Sequence, residues 1–105
     1  DVSEALMYIR RHCYEPITVE DVVKAVRVSR RVLEKRFRKI LNRSVLQEIR
    51  RARTDAAARM LIETDMSIAE ISEKLGYAET AHLSRYFHKE KGISPIAFRK
   101  QMRPK

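Results

Sequence analysis

The chain has 105 residues, 44% hydrophobic and 35% charged, enough for one ordinary domain or two very small units sharing a core. Its 23 Lys and Arg against 14 Asp and Glu leave a net charge of +9, which favours an anionic partner: nucleic acid first, an anionic membrane surface second. Two Gly and three Pro argue against a many-turned β fold, the one cysteine excludes an intramolecular disulfide or a thiolate zinc cluster, and no apolar run nears the roughly 18 residues of a membrane span.

Val2, Ala5, Leu6 and Ile9 have helical spacing, with Arg10 and Arg11 on the other side, and this first helix is expected to stop before Pro16. Asp1 already reads as its beginning, so the chain is expected to be a piece of something longer. Thr18 followed by Asp21 is an N-cap arrangement for a short helix through Val19, Val22, Val23 and Val26, although the β-branched content there also fits a strand. Ser29 caps a third helix whose buried stripe is expected to hold Val32, Leu33, Phe37, Ile40 and Leu41, ending near Asn42. Ser44 and Gln47 form a capping box that opens a long helix with the stripe Val45, Leu46, Ile49, Ala52, Ala56, Met60 and Leu61. A second box, Ser67 and Glu70, precedes Ile68, Ile71 and Leu75, and Gly76 breaks that helix. The sixth helix runs from about Thr80 to Lys91 with Leu83, Tyr86 and Phe87 inward, and Gly92 ends it. Ser94 with Pro95 at the first helical position opens the last, through Ile96 and Phe98. The fold is therefore expected to be all-α, with seven helices.

An internal repeat organises these elements. Val19, Val22 and Val26 correspond to Ile68, Ile71 and Leu75; after one extra residue in the second turn, Leu33 and Phe37 correspond to Leu83 and Phe87. Each unit is a short helix, a tight turn and a longer helix with a polar outer face, which is the form of a helix-turn-helix. The expected organisation is a first helix-turn-helix over about 18–41, a linker helix over about 44–63, a second helix-turn-helix over about 67–91 and a C-terminal helix over about 94–102. A linker of about 19 residues spans roughly 29 Å, close to the roughly 34 Å between successive major grooves on one face of a duplex. The same helix also serves as the core organiser of a bundle; the two roles are compatible. From Arg27 through Arg43 there are eight basic residues against one acid, Glu34, and the excess falls on the helix that the repeat nominates for a groove.

With the repeat and the long central helix, the tail GYAETAHLSRYFHKEKGISPIAFRK resembles the DNA-binding domain of the AraC/XylS family of transcription regulators, over about Val2 to Lys100. Ser67, Ile71, Gly76, Tyr77, Phe87, Gly92, Pro95 and Arg99 carry the resemblance; Leu83 departs from it, standing where an aromatic is commoner. The opening DVSEALMYIRRH with SRRVLEKRF is further similar to xylose-operon regulators within that family. The resemblance implies activation or repression of a promoter, RNA polymerase as a partner, and a separate sensor domain before Asp1, often sugar-binding. No cofactor is implied, and the expected location is the cytoplasm.

Residues near the start of a recognition helix, opposite its core stripe, meet base edges. These are Arg31, Glu34 and Lys35 in the first unit and Thr80, Ala81, His82, Ser84 and Arg85 in the second, the latter matching the exposed positions of the family motif. Arg31 and Arg85 suit guanine, Glu34 the amino group of cytosine, and Ala81 a thymine methyl. Glu34 equally suits a helix-face pair with Arg30 or Arg38. Phosphate contacts are expected from Arg30, Arg36, Arg38, Lys39 and Lys89 and from the helix starts at Ser29 and Ser67, with an acid elsewhere in the bundle as the alternative for Arg36.

An enzyme is not expected: two distant glycines make no phosphate loop, and His12, His82 and His88 have neither a second ligand at i+4 nor an arranged carboxylate. Some DNA-repair methyl acceptors join a reactive cysteine to such a domain, but nothing around Cys13 resembles that site. A basic face docking an acidic protein gives no reason for the duplicated unit. A single-strand reader needs exposed stacking aromatics, whereas Phe37, Phe87 and Phe98 fall on core stripes. A membrane-surface helix needs free bulky apolar residues, which the repeat uses for packing.

Overall fold

Five of the helices begin at a Ser or Thr whose hydroxyl accepts an amide from the first turn. Thr18 accepts from Asp21 N–H at 3.1 Å, Ser29 from Val32 at 3.1 Å, Ser44 from Gln47 at 3.1 Å, Ser67 from Glu70 at 3.0 Å and Ser94 from Ala97 at 3.1 Å. In three of them the box closes: the backbone N–H of Thr18, Ser44 and Ser67 donates back to Asp21, Gln47 and Glu70. The computed structural model describes residues 1–103 and, among them, seven helices and no strand: α1 Val2–His12, α2 Val19–Val26, α3 Arg30–Leu41, α4 Val45–Glu63, α5 Ile68–Lys74, α6 Thr80–Lys91 and α7 Pro95–Met102. The β-branched segment after Thr18 is helix; the cap outweighs its strand propensity.

The helix ends repeat as the starts do. Left-handed backbone occurs at Arg27, Asn42, Gly76 and Gly92, with φ between 57° and 81°. Gly76 is fifty residues less one beyond Arg27, and Gly92 fifty beyond Asn42, so each unit bends left-handed at its turn and at the end of its longer helix. Gly76 sits in a full Schellman ending of α5: its N–H bonds to Glu73 O and the Tyr77 N–H to Ser72 O, both at 3.0 Å. Arg27 takes the same backbone region with a side chain attached, a position that residue-type propensity gives no reason to expect.

Two units divide the chain, Asp1–Ala52 and a second beginning at Arg53. In the first, Val2, Ala5, Ile9, Val19, Val22, Val26, Leu33, Phe37, Val45 and Ile49 make one buried cluster. In the second, Ala56, Ala57, Leu61, Ile71, Leu75, Leu83 and Phe87 are buried, and Phe98 meets Phe87 edge-on at 5.2 Å between centroids. Three residues expected in core stripes are instead exposed: Val32 (37%), Ile40 (65%) and Leu46 (39%). Val32 lies about a right angle away from the Leu33–Phe37 line, since each residue turns a helix by about 100°. Ile40 points along that line, but in the last turn of α3; periodicity gives a direction and not a partner.

Arg99 of α7 ties down the end of α4, donating Nε to Leu61 O and Nη2 to Thr64 O, each at 3.0 Å, and Arg103 adds a bond to Thr64 O at 2.7 Å. Cationic donors on a helix C-terminus satisfy orphan carbonyls and complement the dipole. Thr54, by contrast, is fully buried, and its Oγ1 has no hydrogen-bond partner. Thr54→Val, which keeps the shape and deletes the hydroxyl, is expected to raise stability by about 1 kcal/mol in denaturant unfolding; a loss of that size would mean that the hydroxyl is satisfied in solution.

Candidate nucleic-acid interface

The two longer helices of the repeat expose equivalent stripes. Leu33 and Phe37 anchor α3, and Leu83 and Phe87 anchor α6, all at most 1% exposed. On the opposite side, Arg31, Lys35 and Lys39 stand one turn apart on α3, and Ala81, Arg85 and Lys89 stand at the corresponding positions of α6, all six exposed. Neither helix has an acid in its first turn, whereas the partner helices do: Glu20 and Asp21 in α2, Glu70 in α5. The positive end of α3, capped by Ser29, is thus free of acids, whereas α6 has a carboxylate, Glu79, at its N-cap position.

Most of the predicted contact residues are accessible. Arg30, Arg31, Lys35, Arg36, Arg38 and Lys39 on α3 are exposed, as are Thr80, Ala81, Arg85 and Lys89 on α6, while His82 and Ser84 are half-buried. Two of the basic residues have partners within their unit. Arg36 lies 3.4 Å from Asp1 Oδ2, both side chains about half exposed, and Arg38 donates to Asn42 O at 3.3 Å. Lys91, also on α6, is held by Asp55 at 2.7 Å.

Glu34 and Ser67 come out differently from the rest. Glu34 is half-buried, and its Oε1 accepts the Val45 N–H at 3.0 Å, across the break between α3 and α4. The carboxylate therefore serves the start of α4, a use that no local spacing announces. Ser84 takes the corresponding position in α6, and Pro95, with no N–H to satisfy, replaces Val45. A short hydroxyl suffices there, and an open, mostly apolar hollow remains among Ile68, Thr80, Ser84, Ser94, Pro95 and Ile96. At Ser67, the Glu70 carboxylate already occupies the backbone N–H at 2.8 Å, placing an anion where a phosphate was expected.

Behind α6 lies a group that the sequence did not single out. Arg53, only 6% exposed, donates Nη2 to Leu75 O at 2.6 Å and lies 4.6 Å over the Tyr77 ring. The centroid of Tyr77 is 6.4 Å from that of Tyr86, and the Arg85 guanidinium lies 5.5 Å over Tyr86. An arginine inside an alanine-rich helical stripe carries no signal of such a role; Tyr77, Tyr86 and Arg85 were each visible in the sequence, but not Arg53 nor the row that joins them.

Among the described residues no cluster of His, Cys, Asp or Glu fit to hold a metal occurs, and no helix is long and apolar enough to cross a membrane. Comparison with known proteins matches residues 22–101 to a helix-turn-helix domain family. The xylose operon regulatory protein of Escherichia coli K12 is 35% identical over 98 residues, covering 93% of this chain and 25% of that protein. The chain thus spans about a quarter of that relative's length. An AraC-type DNA-binding domain protein from Chromobacterium violaceum superposes with a TM-score of 0.90 at 27% identity, covering 98% of this chain and 92% of the other. The DNA-binding domain of AdpA, a global transcriptional factor solved in complex with a target DNA, does so with 0.86 at 28%, covering 99% and 96%.

Proposed function

Since the chain belongs to the helix-turn-helix family of AraC-type DNA-binding domains of transcription regulators, we propose that it binds double-stranded DNA by placing α3 and α6 in successive major grooves. The observation that carries this is the equivalence of the two stripes: the same turn positions of two helices, with the same buried anchors, present Arg31, Lys35 and Lys39 and again Ala81, Arg85 and Lys89. The length of α4 supports the spacing.

Base reading falls to Arg31 and Lys35 in the first unit and to Thr80, Ala81, His82, Ser84 and Arg85 in the second. Glu34 is assigned to the α3–α4 joint, with its free oxygen alone left for a base. Arg30, Arg36, Arg38, Lys39 and Lys89 take phosphates, as does the start of α3 at Ser29, whose first turn is free of acids. The start of α5 at Ser67 is given up because Glu70 already neutralises it. The domain acts by binding and not by catalysis, in the cytoplasm, as the output end of a regulator with a separate sensor domain and RNA polymerase as a partner. Similarity to a xylose operon regulator favours sugar-catabolism genes as targets.

The test is selection from a random duplex pool. An asymmetric motif in two blocks about one helical turn apart supports one monomer reading two grooves; sequence-blind binding overturns the base assignments and leaves docking of an acidic protein as the better account. Arg85→Ala is expected to cost about 1–3 kcal/mol on the selected duplex, concentrated at one base pair. Equal losses on selected and random duplexes would remove Arg85 as a reader.

A further inference from the structure

Arg85 is exposed on α6, and an exposed arginine loses much rotamer freedom when it fixes on a base edge. Here it does not stand alone. Its guanidinium lies over Tyr86 at 5.5 Å, Tyr86 lies against Tyr77 at 6.4 Å with a 32° tilt, and Tyr77 lies under Arg53 at 4.6 Å. The far end of this row is fixed: Arg53 is buried and bonded to Leu75 O at 2.6 Å, and the Tyr77 backbone is locked by its bond to Ser72 O at 3.0 Å.

We propose that Tyr86, backed by Tyr77 and Arg53, is a specificity-determining support that presets Arg85 for its base, although none of the three touches DNA. This rests on the reading of Arg85 as a base contact. A guanidinium held over a ring by cation–π attraction spends none of its N–H donors on a hydrogen bond there, so they remain for guanine O6 and N7. A residue held this way keeps its selectivity because wrong bases meet a fork that cannot re-aim. The first unit has no such row: Lys35 and Arg36 stand where Arg85 and Tyr86 stand in the second. The two halves of the site are therefore expected to differ, with the α6 contact strict and the Lys35 contact tolerant.

The experiment measures affinity for the selected duplex and for duplexes changed at each base pair, using Tyr86→Leu, Tyr86→Phe, Arg85→Ala and the Arg85→Ala/Tyr86→Leu double variant, with thermal unfolding alongside. Tyr86→Leu is expected to weaken the selected duplex about two- to fivefold and to flatten preference at the base pair that Arg85→Ala identifies. Preferences in the α3 block should stay as they are, Tyr86→Phe should restore most of the loss, and Tyr86→Leu should add nothing once Arg85 is gone. An equal cost of Tyr86→Leu with and without Arg85, or a loss shared by all duplexes, overturns the proposal. Should Tyr86→Leu lower the unfolding temperature, Arg53→Lys provides the same test from the other end, because a lysine has no planar face for Tyr77; unchanged preference at the Arg85 base pair in that variant also counts against it. If Arg85→Ala itself changes no preference, the base-reading assignment falls first, and the two failures are told apart.

Discussion

Raising monovalent salt from about 50 mM to about 200 mM is expected to weaken duplex binding by roughly 10²–10³-fold. Each phosphate neutralised by a lysine or arginine releases condensed counterions, and log affinity falls with log salt at about −0.9 per contact. Arg30, Arg36, Arg38, Lys39 and Lys89 are exposed cations assigned to phosphates, so a slope of about −4 to −5 follows for four to six contacts. The helix start at Ser29 adds affinity but little slope, since it offers a dipole and no ion.

Existing partners do not remove these cations from the count. Arg36 and Asp1 are both about half exposed, at 3.4 Å, and such surface pairs are worth little and are screened by the same salt. Arg38 bonds a carbonyl and keeps its charge. Lys39→Gln and Lys89→Gln should each reduce the slope by about 1 and weaken all sequences alike. A measured slope near −1 would mean that the basic face of α3 is merely solvated.

How far the sequence reveals this molecule depends on the range of the interaction involved. Caps at Thr18, Ser29, Ser44, Ser67 and Ser94 were legible because each is a bond between residues three apart, and Asn42, Gly76 and Gly92 because such residues tolerate left-handed backbone. Arg27 was not, since it adopts that backbone without any propensity for it. The repeat exposed the outer stripes of α3 and α6 by elimination: once Leu33, Phe37, Leu83 and Phe87 face inward, the opposite side is fixed. Bonds across long separations left no trace. Glu34 to Val45, Arg53 to Leu75 and Arg99 to Leu61 join residues 11, 22 and 38 apart. Each uses a charged side chain on a backbone group, and one of them gives Glu34, a nominated base reader, a bond to the first turn of α4 as well. Ile40 shows the opposite failure, a stripe residue 65% exposed.

Phe87→Ala is expected to cost about 3–5 kcal/mol in denaturant unfolding, against a total of about 5–15 kcal/mol for a domain of this size. The ring is fully buried and packs edge-on against Phe98 at 5.2 Å, so truncation leaves a cavity and also removes an aromatic pair. Consequences for binding follow from geometry. Phe87 and Leu83 alone of α6 are buried, and they set the rotation of the helix that carries Ala81 and Arg85. With one anchor gone, Arg85 is no longer held to the fraction of an ångström that base reading demands. Preference in the α6 block should therefore fade under conditions where most of the protein is still folded. Phe37→Ala should cost no more than this and affect the α3 block instead, because Phe37 belongs to the separate cluster of the first unit. Phe87→Leu, which refills most of the volume, should lose less stability than Phe87→Ala and keep more of the preference. A cost below about 1 kcal/mol for Phe87→Ala would mean that the site collapses around the gap, and that α6 is positioned by its caps and by the Arg53–Tyr77–Tyr86 row more than by its buried face.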